Sequence, residues 1–262
     1  MSKKVNYGNW VPKNMLYAGY GIGIFFGVSA VILQLILSET IATILIGGMS
    51  IISLCFAIYM HKCRNEFSFE KGGLMGKVHE YILQHLEWSG EGELLDIGCG
   101  AGALTIRSAK KYPKAKIMGM DYWGIEWNYA KEQCEENARA EGVSERIQFQ
   151  KGDAAKLDFK TNSFDAAVSN FVFHEVRSAK DKKEVVREAL RVVKKGGVFA
   201  FQDMFSQNKL YGDMRAFVEQ LKKEGIQEIH YIPFVEKKVD FIPKFITAPW
   251  MLQGIGLIYG MK

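Results

Sequence analysis

Two stretches near the start of the chain carry no charge, residues 15–37 and residues 40–60, and only Ser38 and Glu39 separate them. Each run is long enough to cross a hydrocarbon core of about 30 Å at about 1.5 Å per residue. The short break predicts a tight helical hairpin over residues 15–60. Two such runs in succession favour a membrane over a pair of buried core helices. The first run is longer than the apolar stretch of a secretory leader, and a second follows at once, so cleavage is not expected. Gly19, Gly23 and Gly27 recur every four residues and mark one face for close helix approach. The short loop points to the second helix, near Gly47 and Gly48, as their partner, with another subunit as the alternative.

From residue 74 the hydrophobic period shortens and alternates. Leu74, Val78, Ile82 and Leu86 are four apart and predict an amphipathic helix. Short apolar runs at residues 93–97, 116–120, 146–150, 164–170 and 198–202 read as strands. Helical patterns at residues 104–112, 125–140, 180–193 and 210–224 lie among them. In the second of these, Trp127, Ala130, Cys134 and Ala138 share a side. Strand and helix in alternation predict a parallel sheet covered on both faces. The alternation fails at the end, where residues 228–235 and 254–260 read as two strands pairing antiparallel at a sheet edge. The organisation is an N-terminus of residues 1–14, the hairpin at 15–60, a linker at 61–73 and a domain at 74–262.

Charge refines this picture. The chain has 262 residues and a formal charge of +5. Of its 34 basic residues only Lys3, Lys4 and Lys13 precede residue 61, and of its 29 acidic residues only Glu39 does. With Lys62, Arg64, Lys71 and Lys77 after the hairpin, both ends and the domain are expected in the cytoplasm. The rest is near charge balance, so nothing calls for nucleic acid. Cys55, Cys63, Cys99 and Cys134 show no CxxC pairing, hence no zinc or disulfide pattern.

The chemistry concentrates in LLDIGCGAGAL, residues 94–104. Gly98, Gly100 and Gly102 let a backbone turn sharply and approach a ligand closely. The third glycine comes one position early for a dinucleotide fingerprint, which disfavours a nicotinamide oxidoreductase. Asp96, two residues before the first glycine, repels a pyrophosphate and attracts an ammonium or sulfonium. Asp121 ends the second strand, where a carboxylate accepts from ribose hydroxyls. Asp153 follows the third, within reach of an adenine amino group, although Gly152-Asp153 is also an ordinary turn. A cationic end, a ribose and an adenine together describe S-adenosylmethionine. Cys99 reads as a packing residue.

LLDIGCGAG, MGMDYW, KGDAAKLDF, FDAAVSNFVFHEV and LRVVKKGGVFAFQD, in that order, resemble the successive motifs of class I S-adenosylmethionine-dependent methyltransferases of the quinone, lipid and small-molecule branch. The resemblance covers roughly residues 74–235. It implies a Rossmann-like α/β fold: a seven-stranded, mostly parallel sheet with an antiparallel last strand and helices on both faces. It also implies that Asp96 to Gly102 cradles the methionine end, that Asp121 takes the ribose and that Tyr122 or Trp123 packs on adenine. Asp153 and Ala154 would meet the adenine edge, and Asn170 would lie beside the methyl donor. Trp123 stands where smaller polar residues are common, so core filling is its alternative.

For the acceptor side, His174 and Glu175 are the candidate bases, and Asp203 and His230 with Tyr231 are weaker ones. A structural hydrogen-bonding role is the alternative for His174. KKVDFIPKFITAPW, residues 237–250, mixes apolar residues with Lys237, Lys238 and Lys244, as does a surface that dips into headgroups. An ordinary lid is its alternative. Phe67 and Phe69 would complete the same entrance. A lipophilic acceptor in the bilayer gives the anchor a purpose. A protein or soluble acceptor, and a non-catalytic S-adenosylmethionine-binding module, stay open, as does the oligomeric state.

Overall fold

The computed structural model describes residues 5–69, 73–124 and 131–262. They form two compact units. One is Gly8–Met75; the other joins residues 5–7 to Gly76–Lys262.

The first unit is the hairpin. Helix α1, Lys13–Ile32, continues as a π-helical turn over Leu33–Leu37. Ser38, in the left-handed region, reverses the chain into α2, Thr40–Glu66. Both are long and apolar enough to cross a membrane. Tyr17, Leu35, Ile41 and Ile52 are each at least 68% exposed, so the outward faces are apolar. The glycine face does meet α2. A Cβ on Gly19 would lie 3.1 Å from that of Ala57, and one on Gly23 would lie 2.7 Å from Leu54. The contact lies further along α2 than expected, over Ser50 to Ala57. Ser50 and Ser53 hydroxyls donate to the carbonyls of Gly23 and Gly19 at 2.7 and 3.0 Å, whereas nothing lies within 4 Å of Gly47 or Gly48. Small residues let the backbones close, and serine then satisfies its hydroxyl on the exposed carbonyl. At the polar end, Asn9 Nδ2 donates to the carbonyl of Arg64 at 2.9 Å, and Arg64 donates to that of Val11. The helix persists to Glu66, so the expected linker begins later than residue 61: charged residues end the apolar run without breaking the helix.

The second unit is a seven-stranded sheet of order β3-β2-β1-β4-β5-β7-β6. Its strands are β1 Gly92–Ile97, β2 Ala115–Asp121, β3 Ile147–Lys151, β4 Phe164–Asn170, β5 Val193–Asp203, β6 Glu228–Pro233 and β7 Gly256–Met261. β1 to β5 pair parallel, and β7 runs antiparallel between β5 and β6. The central strands are buried on both faces, which is why they read as unbroken apolar runs: Leu94, Leu95, Ala166, Ala167, Phe199 and Phe201 are wholly enclosed. Helices α3 Leu74–Gln84, α4 Ala103–Lys111, α5 Lys131–Ala140, α6 Lys182–Val192, α7 Asn208–Tyr211 and α8 Met214–Lys223 complete the fold.

Two elements differ from expectation, and a third is described only in part. β5 begins at Val193, not Val198, because Gly196 and Gly197 sit inside the strand and its pairing with β4 shifts register there. The helix expected over residues 210–224 is two helices. Gly212 adopts φ 61°, ψ −143°, and Asp213 then caps α8 through the amides of Arg215 and Ala216. The helix expected over residues 125–140 is described from Lys131; Trp127 and Ala130 lie outside the described residues.

Candidate active site

Strand order reverses between β1 and β4, so a crevice opens beyond their carboxyl ends. The glycine loop fills one side of it. Gly98, Gly100 and Gly102 all have positive φ, at 74°, 55° and 81°. At Gly98 the need for glycine is double: a Cβ there would also stand 2.1 Å from Val172 Cγ2. The amides of Gly98 and Cys99 donate to the carbonyl of Met120, which pins the loop to the end of β2. Cys99 is buried, and burial pushes its thiol pKa up, so it packs rather than reacts.

Asp121 closes the loop from the other side. Its Oδ2 accepts from the amide of Gly100 at 2.8 Å, and its Oδ1 from that of Trp123 at 2.7 Å. Trp123 has φ 42°, and its indole N–H donates to the carbonyl of Gly100 at 2.9 Å. That bond ties the indole to the loop. Tyr122 is 64% exposed with the Lys151 ammonium 5.6 Å from its ring centroid. Asp96 lies beneath the loop, 1% exposed, and accepts from the Thr105 hydroxyl at 2.6 Å. It therefore acts on a ligand through its charge and through the loop. Burial pushes its pKa from 3.8 up to about 7; Thr105 opposes the shift and nearby Asp121 adds to it. Burial raises Asp121 as well.

Asp153 makes a turn, its Oδ1 accepting from the amide of Ala155 at 2.9 Å, and Ala154 is buried. Asn170 ends β4, where its side-chain oxygen accepts from Gln202 at 3.4 Å.

The other side of the crevice is built at the tips of β4 and β5. A 3-10 turn over Phe173–Glu175 carries His174 and Glu175. Asp203 at the end of β5 is fully buried. It accepts from His174 Nδ1 at 2.8 Å and from the amides of Phe173 at 2.8 Å and Met204 at 2.6 Å. Glu175 Oε1 lies 3.3 Å from His174 Nε2. Burial alone would lower the pKa of His174, but Asp203 and Glu175 outweigh it and raise the value from 6.5 to about 10. Of the weaker candidates, Asp203 proves central, while His230 is spread over Tyr259 and paired with Glu228 on the edge strand. Tyr231 shares a hydroxyl contact of 2.9 Å with Ser206.

Sequence reasoning missed Thr105 and Asn137. Asn137 in α5 is 1% exposed and donates to the carbonyl of Ala101 at 2.9 Å. A polar residue on the same helical side as Cys134 and Ala138 was the available signal.

Residues 95–201 match the family model described as a methyltransferase domain. The sheet unit has a Rossmann-like methyltransferase fold. It is 35% identical over 122 residues to a sterol 24-C-methyltransferase of Aspergillus fumigatus, a match covering 46% of this chain and 30% of that protein. It is 27% identical over 166 residues to a ubiquinone/menaquinone biosynthesis C-methyltransferase of Desulfotalea psychrophila, covering 55% and 63%. The chain thus spans under two thirds of the length of either relative. In fold, the chain is similar to a geranyl diphosphate methyltransferase solved in complex with S-adenosylmethionine, with TM-score 0.54 and 14% identity over 77% of this chain and 86% of that one.

The residues present fit that cofactor class. Asp96, buried, and Asp121, half-buried, are neighbouring acids with no ion pair to a basic side chain among the described residues. A cation placed over the loop offsets charge that the protein itself leaves uncompensated.

Proposed function

We propose that the chain is a membrane-anchored S-adenosylmethionine-dependent methyltransferase that delivers a methyl group to a lipophilic small molecule or lipid. The observation that carries the reading is buried Asp96 and half-buried Asp121 around a loop of three positive-φ glycines at the switch point of the sheet. Bound S-adenosylmethionine supplies an activated methyl group on a sulfonium. Asp96 provides negative charge beneath it, Asp121 offers acceptors for ribose hydroxyls, and Tyr122 or Trp123 offers a ring for adenine. Asp153 and Ala154 stand at the adenine edge and Asn170 beside the donor.

In this reading the chain's task is alignment and exclusion of water. Asp203 orients His174 from within the core. At neutral pH the imidazole keeps both protons, one toward Asp203 and one toward Glu175. Glu175, 44% exposed, is then the group with capacity to take a proton from an acceptor, and His174 holds it in place.

The insert between β6 and β7 belongs to the acceptor side. Pro233 pairs with Gly256, and Gly256 with Asp203, so the insert leaves the sheet at the edge that holds His174. The lid and headgroup readings divide its residues. Ile242, Ile246 and Leu252 are buried beneath it, and Glu236 clips its two ends by accepting from the amides of Gly254 and Ile255 at 3.0 and 3.1 Å. Phe245 and Trp250 face outward at 42% and 70% exposure, alongside exposed Lys237, Lys238 and Lys244. A fixed lid with an aromatic and basic outer surface suits an anionic bilayer. The apolar hairpin faces support anchoring, and the names of both relatives carry lipophilic molecules, a sterol and a quinone.

The test is transfer of labelled methyl groups by the full-length protein in membranes. Label is expected in the lipid extract. Label confined to the protein pellet or the aqueous phase would sink the lipophilic acceptor, and no transfer at all would sink the enzyme.

A further inference from the structure

Residues 5–7 belong to the sheet unit, although α1 separates them from it in sequence. The backbone of Asn6 lies along the Asn137 side chain: the Asn6 amide donates to Asn137 Oδ1 at 2.9 Å, and Asn137 Nδ2 donates to the Asn6 carbonyl at 2.8 Å. One side-chain amide thus pairs with one residue's backbone as a neighbouring strand would. The same Nδ2 donates to the carbonyl of Ala101, inside the glycine loop. One turn earlier, the Cys134 thiol contacts the carbonyl of Gly100 at 3.0 Å. The next residue of the segment is held too, the Tyr7 hydroxyl donating to Glu141 at 3.0 Å. Glu141 is itself paired with Lys110 of α4, the helix that the glycine loop opens.

We propose that Asn137 is a positioning residue that couples the N-terminal segment to the cofactor loop. With Asn6 docked, both donors of the Asn137 amide are engaged, and its orientation toward Ala101 is fixed. With Asn6 withdrawn, the amide keeps Ala101 and the Gln133 side chain, whose Nε2 donates to Asn137 Oδ1 at 3.2 Å, but loses both bonds to the segment, so its donor is held less firmly on the Ala101 carbonyl. The segment precedes α1, which begins at Lys13. The clasp rests on the reading of that loop as the S-adenosylmethionine site.

The test is calorimetric titration of S-adenosylmethionine into full-length protein in nanodiscs. Asn6→Pro removes one amide donor outside the core. It is expected to weaken binding about fivefold, the loss of a single hydrogen bond, with the melting temperature of the sheet unit unchanged. Asn137→Ala is expected to weaken it by more than tenfold. In the Asn137→Ala background, Asn6→Pro is expected to have no further effect, because the pair acts as a unit. Asn137→Gln cannot keep this set of bonds and is not expected to restore affinity. Wild-type affinity in Asn6→Pro, or strictly additive losses in the double variant, would overturn the clasp while leaving the cofactor site standing. If the unsubstituted chain does not bind, the cofactor reading and the clasp fall together.

Discussion

The two sides of the crevice are made by different means. The β1–β2 side is a backbone construction: three glycines at positive φ, two carbonyl-bound amides and one carboxylate that closes the loop. The β4–β5 side is a side-chain construction, in which a buried acid and a half-exposed one hold an imidazole between them. Backbone constructions tolerate little substitution and serve one ligand shape. Side-chain constructions keep their frame while the chemistry they present changes. Under the proposed function, the first side holds the cofactor and the second meets the acceptor.

The contrast is broken most severely at Gly98. Gly98→Ala combines a left-handed backbone with a Cβ 2.1 Å from Val172. It is expected to cost roughly 3 kcal/mol or more in stability and to abolish cofactor binding. Gly142→Ala, at φ +71° with nothing within 4 Å, carries only the backbone penalty, roughly 1–2 kcal/mol, and leaves binding intact. Chemical denaturation of both variants separates the two contributions.

His174→Ala tests the other side. Turnover is expected to fall by about a hundredfold or more with S-adenosylmethionine affinity within about twofold. Steady-state rates beside calorimetry decide it, and unchanged turnover removes His174 from the chemistry. Asp121→Ala is the mirror experiment. Cofactor dissociation is expected to rise about thirtyfold, with turnover at saturation changed little.

Acidity sharpens the comparison further. Asp96, with its pKa raised from 3.8 to about 7, favours the folded state while protonated. That contribution is complete below 3.8 and is lost as pH rises through about 7. A cationic ligand reverses the preference, because only the ionised carboxylate attracts it. Binding is therefore expected to strengthen about tenfold from pH 6 to pH 8, and melting curves should show the largest ligand-induced gain at the higher pH. His174 titrates in another window. Its raised pKa contributes stability that is full below 6.5 and lost as pH rises through about 10. The smallest effect is expected at the insert. Lys244→Ala should lower transfer to a lipid-dispersed acceptor about fivefold on anionic vesicles and not on neutral ones.

The same division decides what the sequence revealed. Glycine spacing and strand-end acids are local, and they were legible because backbone conformation restricts residue type directly. β4 was legible to the residue, since its centre, Ala166 to Val168, is buried and wholly apolar. What was hidden depends on distant partners. Asp203 meets His174 across 29 positions, Asn137 meets Ala101 across 36, and Asn6 meets Asn137 across 131. No periodicity records such pairings. The break between α7 and α8 was hidden for a different reason: Gly212 is one residue in an otherwise amphipathic pattern, and its unusual ψ shows only in three dimensions.

The measurement that bears most directly on the whole account is titration of purified full-length protein with S-adenosylmethionine and S-adenosylhomocysteine at pH 8. The account requires saturable, one-to-one heat from both compounds, lost in Gly98→Ala and weakened in Asp121→Ala. Absence of heat from the unsubstituted protein, or binding indifferent to both substitutions, would contradict it.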